Sequence, residues 1–101
     1  MNEIINVAKN IHEQIEDMTE FLYQEKITEG CASLNPILAQ MEQLIQEILV
    51  YQNGTGQRIM DETKLLGSVQ EALQALEAKD YVLLADIFRY DIKEQLEQIA
   101  G

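Results

Sequence analysis

Apolar side chains recur through this chain at alternating steps of four and three residues. Ile4, Ala8, Ile11, Ile15, Met18 and Leu22 open the pattern. That spacing lines one face of an α-helix and cannot line one face of a strand, where the period is two. The opposite face carries Lys9, Asn10, Glu13, Glu16, Asp17 and Glu20, all polar. A first amphipathic helix is expected from about residue 2 to about residue 23. Ile27, Cys31, Leu34, Leu38, Met41, Ile45 and Ile48 repeat the spacing, and Ile37, Leu44 and Tyr51 widen the stripe. Pro36 interrupts it. Either a helix from about 26 to about 52 kinks there, or Asn35 caps a fresh helix with Pro36 at its first position. The stripe keeps its register across the proline, which favours the kinked helix.

The clearest break is Asn53-Gly54-Thr55-Gly56, a run of turn-forming residues. Beyond it Ile59, Leu66, Val69, Leu73 and Leu76 mark the inward face of a third helix, expected from about 57 to about 78. Glu62 takes one stripe position near its start, and Gly67 is a weak point, worth roughly 1 kcal/mol against alanine. Glu77-Ala78-Lys79-Asp80 reads as a turn, with Asp80 as cap for a fourth helix that ends at Gly101. Tyr81, Ala85, Phe88, Ile92, Leu96 and Ile99 give that helix its inward face, with Leu84 beside them. The turns at Gln24–Lys26 and Glu77–Asp80 lie 54 residues apart, an offset that also aligns Ile27, Cys31, Leu34 and Leu38 with Tyr81, Ala85, Phe88 and Ile92. This is either a pseudo-repeat or the alignment that any two heptad helices allow. Short connections make neighbouring helices antiparallel, so residues 1–101 are expected to form one domain, an all-α, up-down four-helix bundle of two hairpins.

The charge narrows the function. Eighteen acidic and seven basic side chains give a net charge of −11. An acidic coat disfavours nucleic acid and anionic membrane, both of which attract basic surfaces. A single cysteine allows no internal disulfide, and no apolar run approaches the length of a signal sequence or a membrane span. A soluble, cytoplasmic protein is expected.

Candidate chemistry is sparse. His12 is the only histidine. Carboxylate di-metal bundles take two Glu-x-x-His motifs, and here Lys9 occupies the position three before His12. One His and one Glu are too few for structural zinc. Cys31 lies on the inner stripe among apolar neighbours, the setting of a small hydrophobe and not of an activated thiolate. Gly54-Thr55-Gly56-Gln57-Arg58 lacks the lysine and the preceding strand of a phosphate loop. Ser33, Ser68 and His12 follow no triad motif. The carboxylates Glu16, Asp17 and Glu20 sit on a polar helix face, where solvation explains them. No catalysis, metal or cofactor is expected.

The fourth helix exceeds what a core requires. Leu83, Ile87 and Tyr90 form a second stripe about 100° from its inward face, and Val82 adds to it. Leu49, Val50 and Tyr51 show a milder excess on the second helix. Val82, Leu83, Ile87 and Tyr90 are therefore the expected partner contacts. Substituting Leu83 and Ile87 by glutamate is expected to abolish association while leaving the fold intact. The partner is either a basic or amphipathic helix of another protein, which suits an acidic groove, or a second copy across a two-fold axis.

In length, acidity and helical layout, with a C-terminal helix after the turn Ala78-Lys79-Asp80-Tyr81, the chain resembles the small acidic helical-bundle chaperones of bacterial export, flagellar export chaperones in particular. The resemblance implies a bacterial, non-catalytic protein that holds a helical segment of an export client. The chain lacks a basic or aromatic-rich N-terminal signature, so the resemblance names no client. Paired-helix secretion substrates of similar length carry a Trp-x-Gly turn, and this chain has no Trp.

Overall fold

The computed structural model describes residues 2–100 and contains four helices and, among those residues, no strand. Helix α1 is Asn2–Tyr23, α2 is Ile27–Thr55 and α3 is Glu62–Glu77. Helix α4 covers 81–100 in three continuous parts: α-helical over Tyr81–Asp86, π-helical over Ile87–Ile92 and α-helical again over Lys93–Ala100. The expected end of this helix at Gly101 lies outside the described residues.

Local chemistry sets these ends. The carboxylates of Asp61 and Asp80 each accept from a backbone N–H three residues on, Lys64 and Leu83, both at 3.1 Å, which satisfies one orphan donor at each helix start. The two hairpin turns share one hydrogen-bond pattern. Lys26 N–H donates to the Phe21 carbonyl and Glu25 N–H to that of Leu22; Asp80 N–H donates to Ala75 and Lys79 N–H to Leu76. Glu25 and Lys79 both sit at left-handed φ, 64° and 58°. This is the double closure of a Schellman end, made without the usual glycine, and it recurs at the 54-residue offset seen in the sequence. Gly56, at φ 75°, ends α2 by donating to the Gln52 carbonyl at 2.8 Å.

Two boundaries differ from expectation. Asn53, Gly54 and Thr55 belong to α2, so the break falls at 56–61. Ile59 and Met60 lie in that loop, before α3 begins, yet Met60 is buried and plugs the bundle end. Helix α2 runs unbroken through Pro36, which excludes a fresh start there.

Helix α1 is central. Its stripe from Ile4 to Leu22 is buried against α2 (Leu34, Ile37, Met41, Leu44, Ile48) and α4 (Ala85, Phe88, Ile92, Leu96, Ile99). Contacts between α1 and α4 fall in descending order: His12 with Glu97, Glu16 with Lys93, Thr19 with Arg89, Tyr23 with Asp86. Those two helices therefore run in opposite directions. Gln14 and Gln40 exchange amide hydrogen bonds at 3.0 Å between α1 and α2. Helix α3 packs on α4, where the Gln95 amide donates to Ser68 Oγ at 3.0 Å in a buried contact.

The π-helical turn fits the apolar spacing around it. Phe88, Ile92 and Leu96 follow two successive steps of four, one residue more than a three-four alternation allows. Lys93 N–H bonds the Phe88 carbonyl, five residues back, and so takes up the extra residue.

Candidate functional site

The four residues expected as partner contacts differ in exposure. Val82 (59% exposed), Leu83 (46%) and Tyr90 (66%) face solvent, but Ile87 is only 8% exposed and belongs to the core. Helix α4 lies between α1 and α3, so two faces of it are covered where one was expected. Leu84 and Ile87 serve the α3 side, Ala85 and Phe88 the α1 side. Leu83 and Ile87 border a shallow groove of about 360 Å³ with Glu71, Gln74, Ala75 and Ala78 of α3.

The largest departure is in α3. Its buried side chains are Leu65, Ser68, Ala72 and Ala75, a second three-four-three stripe adjacent to the one the leucines mark. Small residues let α4 approach closely, and this packing rotates the large side chains to the margin. Leu66 and Leu73 are 49% and 42% exposed, and Val69 and Leu76 are half-buried.

Helix α3 makes little close approach to α2, and helical geometry puts these leucines on the flank of α3 away from Glu71, Gln74 and Ala78, which border its groove with α4. Helix α2 presents Cys31, Leu38 and Ile45, all half-buried and seven residues apart, with Leu49 one turn further on and exposed. Helical geometry puts these four on one flank. The α2–α3 edge is thus an apolar seam whose side chains are half covered and whose helices approach less closely than the other neighbouring pairs; shallow grooves also open on the α1–α2 edge beside Ile4, Val50 and Tyr51 and on the α3–α4 edge beside Leu83.

The charges along the seam have one sign. Helix α2 carries Glu29, Glu42 and Glu47 and no Lys or Arg, and the only base of α3 is Lys64, about 160° round the helix from Leu66. By helical geometry Glu42 falls on the flank of Leu38 and Leu49, and Glu62 and Glu77 fall on that of Leu66 and Leu73. Glu62 is half-buried, and one of its carboxylate oxygens is shielded from solvent without a hydrogen-bond partner among the described residues.

Oxygens of Glu47 and Gln95 are likewise shielded without a partner among the described residues, while several polar groups elsewhere are paired. His12 Nε2 lies 3.0 Å from Glu97 Oε1. Lys93 Nζ contacts Glu16 Oε1 at 2.7 Å, and this hydrogen bond and charge hold the Glu16 carboxyl below its ordinary range. Tyr23 Oη donates to Asp86 at 2.5 Å. Partial burial, then the hydrogen bond and the negative charge of Asp86, push the Tyr23 phenol well above its ordinary value. Cys31, expected on the inner stripe, stands half-buried at the seam. Among the described residues no cluster of three His, Cys, Asp or Glu side chains could hold a metal ion, and no helix is long and apolar enough to cross a membrane.

Sequence reasoning placed Leu66 and Leu73 in the core and so missed the seam. The available signal was the neighbouring stripe of Leu65, Ser68, Ala72 and Ala75, whose small side chains mark the close helix contact.

Comparison with known proteins gives one match. Residues 1–101 match the model of a family described as a domain of unknown function, DUF8042, and the chain belongs to that family. No curated protein and no solved structure matches it.

Proposed function

We propose that this member of the DUF8042 family is a non-catalytic interaction module that holds a helical segment of another protein. The half-exposed leucines at the α2–α3 edge carry this reading. A four-helix bundle has enough apolar side chains to close every edge. Here one edge presents Leu49, Leu66 and Leu73 to solvent, and a helix laid along it would complete the packing. At ~25 cal/mol per Å², covering a few such side chains supplies several kcal/mol before association costs. Function through a binding surface also suits the α1–α4 edge, where His12, Glu16 and Tyr23 pair with Glu97, Lys93 and Asp86.

The exposed residues Val82, Leu83 and Tyr90 of α4 are the second candidate contact, and Val82→Glu with Tyr90→Glu tests it. The test of the function is affinity capture from lysate of the native organism with the wild type and with Leu66→Glu/Leu73→Glu, followed by titration of the purified partner. A partner that rebinds the wild type in pure form and is lost by the variant supports the reading. Equal binding to both, or a wild type that forms only its own dimer on light scattering, contradicts it.

A further inference from the structure

We infer that the occupant of the α2–α3 seam is a basic amphipathic helix of another chain, anchored by apolar side chains on Leu66 and Leu73 and by lysines or arginines on Glu42, Glu62 and Glu77. The inference rests on the proposed helix-binding function and adds the chemistry of the partner.

Three observations select this occupant. The seam is lined by large aliphatic side chains at helical spacing on both walls: Leu38, Ile45 and Leu49 on α2, Leu66, Val69 and Leu73 on α3. Such walls accept side chains that themselves recur at three and four residues. The margins are acidic on both sides, and no Lys or Arg of α2 or α3 faces the seam to answer them. The shielded Glu62 oxygen lacks a partner among the described residues, and a buried carboxylate oxygen left unpaired is costly until a donor reaches it. A second copy of this chain would bring more carboxylates to the same place, since its net charge is −11. Like charges opposed across an interface disfavour that pairing. Helix α3, at 16 residues, is ~24 Å long, which fixes the length of contact at about four turns of the incoming helix.

The probe is a labelled synthetic peptide of about 18 residues, long enough to span those turns, with leucines on one face and lysines flanking them. A matched peptide carries glutamates in place of the lysines. Both are titrated against the full chain by fluorescence anisotropy at physiological salt. The lysine peptide is expected to bind, at least tenfold more tightly than the glutamate peptide. Leu66→Glu/Leu73→Glu is expected to weaken it at least tenfold, although that variant is more acidic. Glu42→Lys is expected to weaken the lysine peptide several-fold and strengthen the glutamate peptide, and it gives a readout that does not depend on the leucine variant folding.

Tighter binding of the lysine peptide to Leu66→Glu/Leu73→Glu would show adsorption to an acidic coat and overturn the inference. Equal binding of both peptides, lost in the leucine variant, would overturn the basic partner and leave the helix-binding function standing. Binding of neither peptide, with the seam closed by a second copy on light scattering, would overturn both.

Discussion

The hairpin of α1 and α2 depends on one close approach, and its energetic weight can be isolated by two chemically identical substitutions. Gly30 lies on α2 where that helix crosses the end of α1. A Cβ built on it would stand 2.6 Å from Leu22 Cδ2, 2.8 Å from Leu22 Cγ and 3.4 Å from the Met18 carbonyl oxygen. Leu22 is itself buried, at 2% exposure, so it has little room to yield. Overpacking of this kind costs ~1–3 kcal/mol. Replacing a helical glycine by alanine returns about 1 kcal/mol of helix propensity. Gly30→Ala is therefore expected to destabilise the protein by up to about 2 kcal/mol. Gly67, within α3, has no atom within 4 Å of the same built position, so Gly67→Ala keeps the propensity gain and stabilises by up to about 1 kcal/mol. The opposite signs are read from thermal melts followed by circular dichroism. A domain of this size moves its melting temperature by roughly 4–8 °C per kcal/mol, which separates the two variants well. Stabilisation by Gly30→Ala equal to that by Gly67→Ala would refute the close packing of α2 on the Leu22 end of α1.

Other perturbations test separate parts of the structure. Pro36 is exposed within an unbroken helix, so Pro36→Ala is expected to stabilise by about 1–3 kcal/mol in the same melts. Leu83→Glu/Ile87→Glu is now expected to lose helical circular dichroism, because Ile87 is core; Leu83→Glu alone retains it. The Tyr23 phenol is raised above its unfolded value of 10.0. Its stabilising contribution is thus complete below that pH and lost as pH rises toward the folded value. Urea midpoints measured upward from about pH 10 should fall for the wild type and fall less for Tyr23→Phe.

Much of the fold follows from periodicity. The stripe from Ile4 to Leu22 is buried at every position, and the stripe of α2 reaches the core through Leu34, Met41 and Ile48. The errors share a physical origin. Periodicity states which residues lie on one helix face but not which of two adjacent faces meets a neighbour. In α3 the leucine face and the Leu65–Ala75 face both have heptad spacing, and the closer packing of small residues decides between them. In α4 the apparent surplus stripe splits because two helices flank it, carrying Ile87 inward and leaving Val82, Leu83 and Tyr90 outside. The π-helical turn was not legible: the two steps of four from Phe88 to Leu96 recur at Ile37, Met41 and Ile45 in α2, which is α-helical throughout. The acidic rim of the seam was present in the sequence as the absence of any base on α2, but it gained meaning only when Glu42 and Glu62 stood beside uncovered leucines.

The open α2–α3 edge is tested most directly by comparing two sets of glutamates in the absence of any partner. Leu66 and Leu73 are about half covered, so each contributes roughly 1 kcal/mol of burial. Leu66→Glu/Leu73→Glu should therefore stay helical and lose only about 2 kcal/mol in a urea melt. Leu65, fully buried one residue away, should unfold the protein when replaced by glutamate alone. Collapse of the double variant together with tolerance of Leu65→Glu would mean that the leucines close the core and that no seam exists.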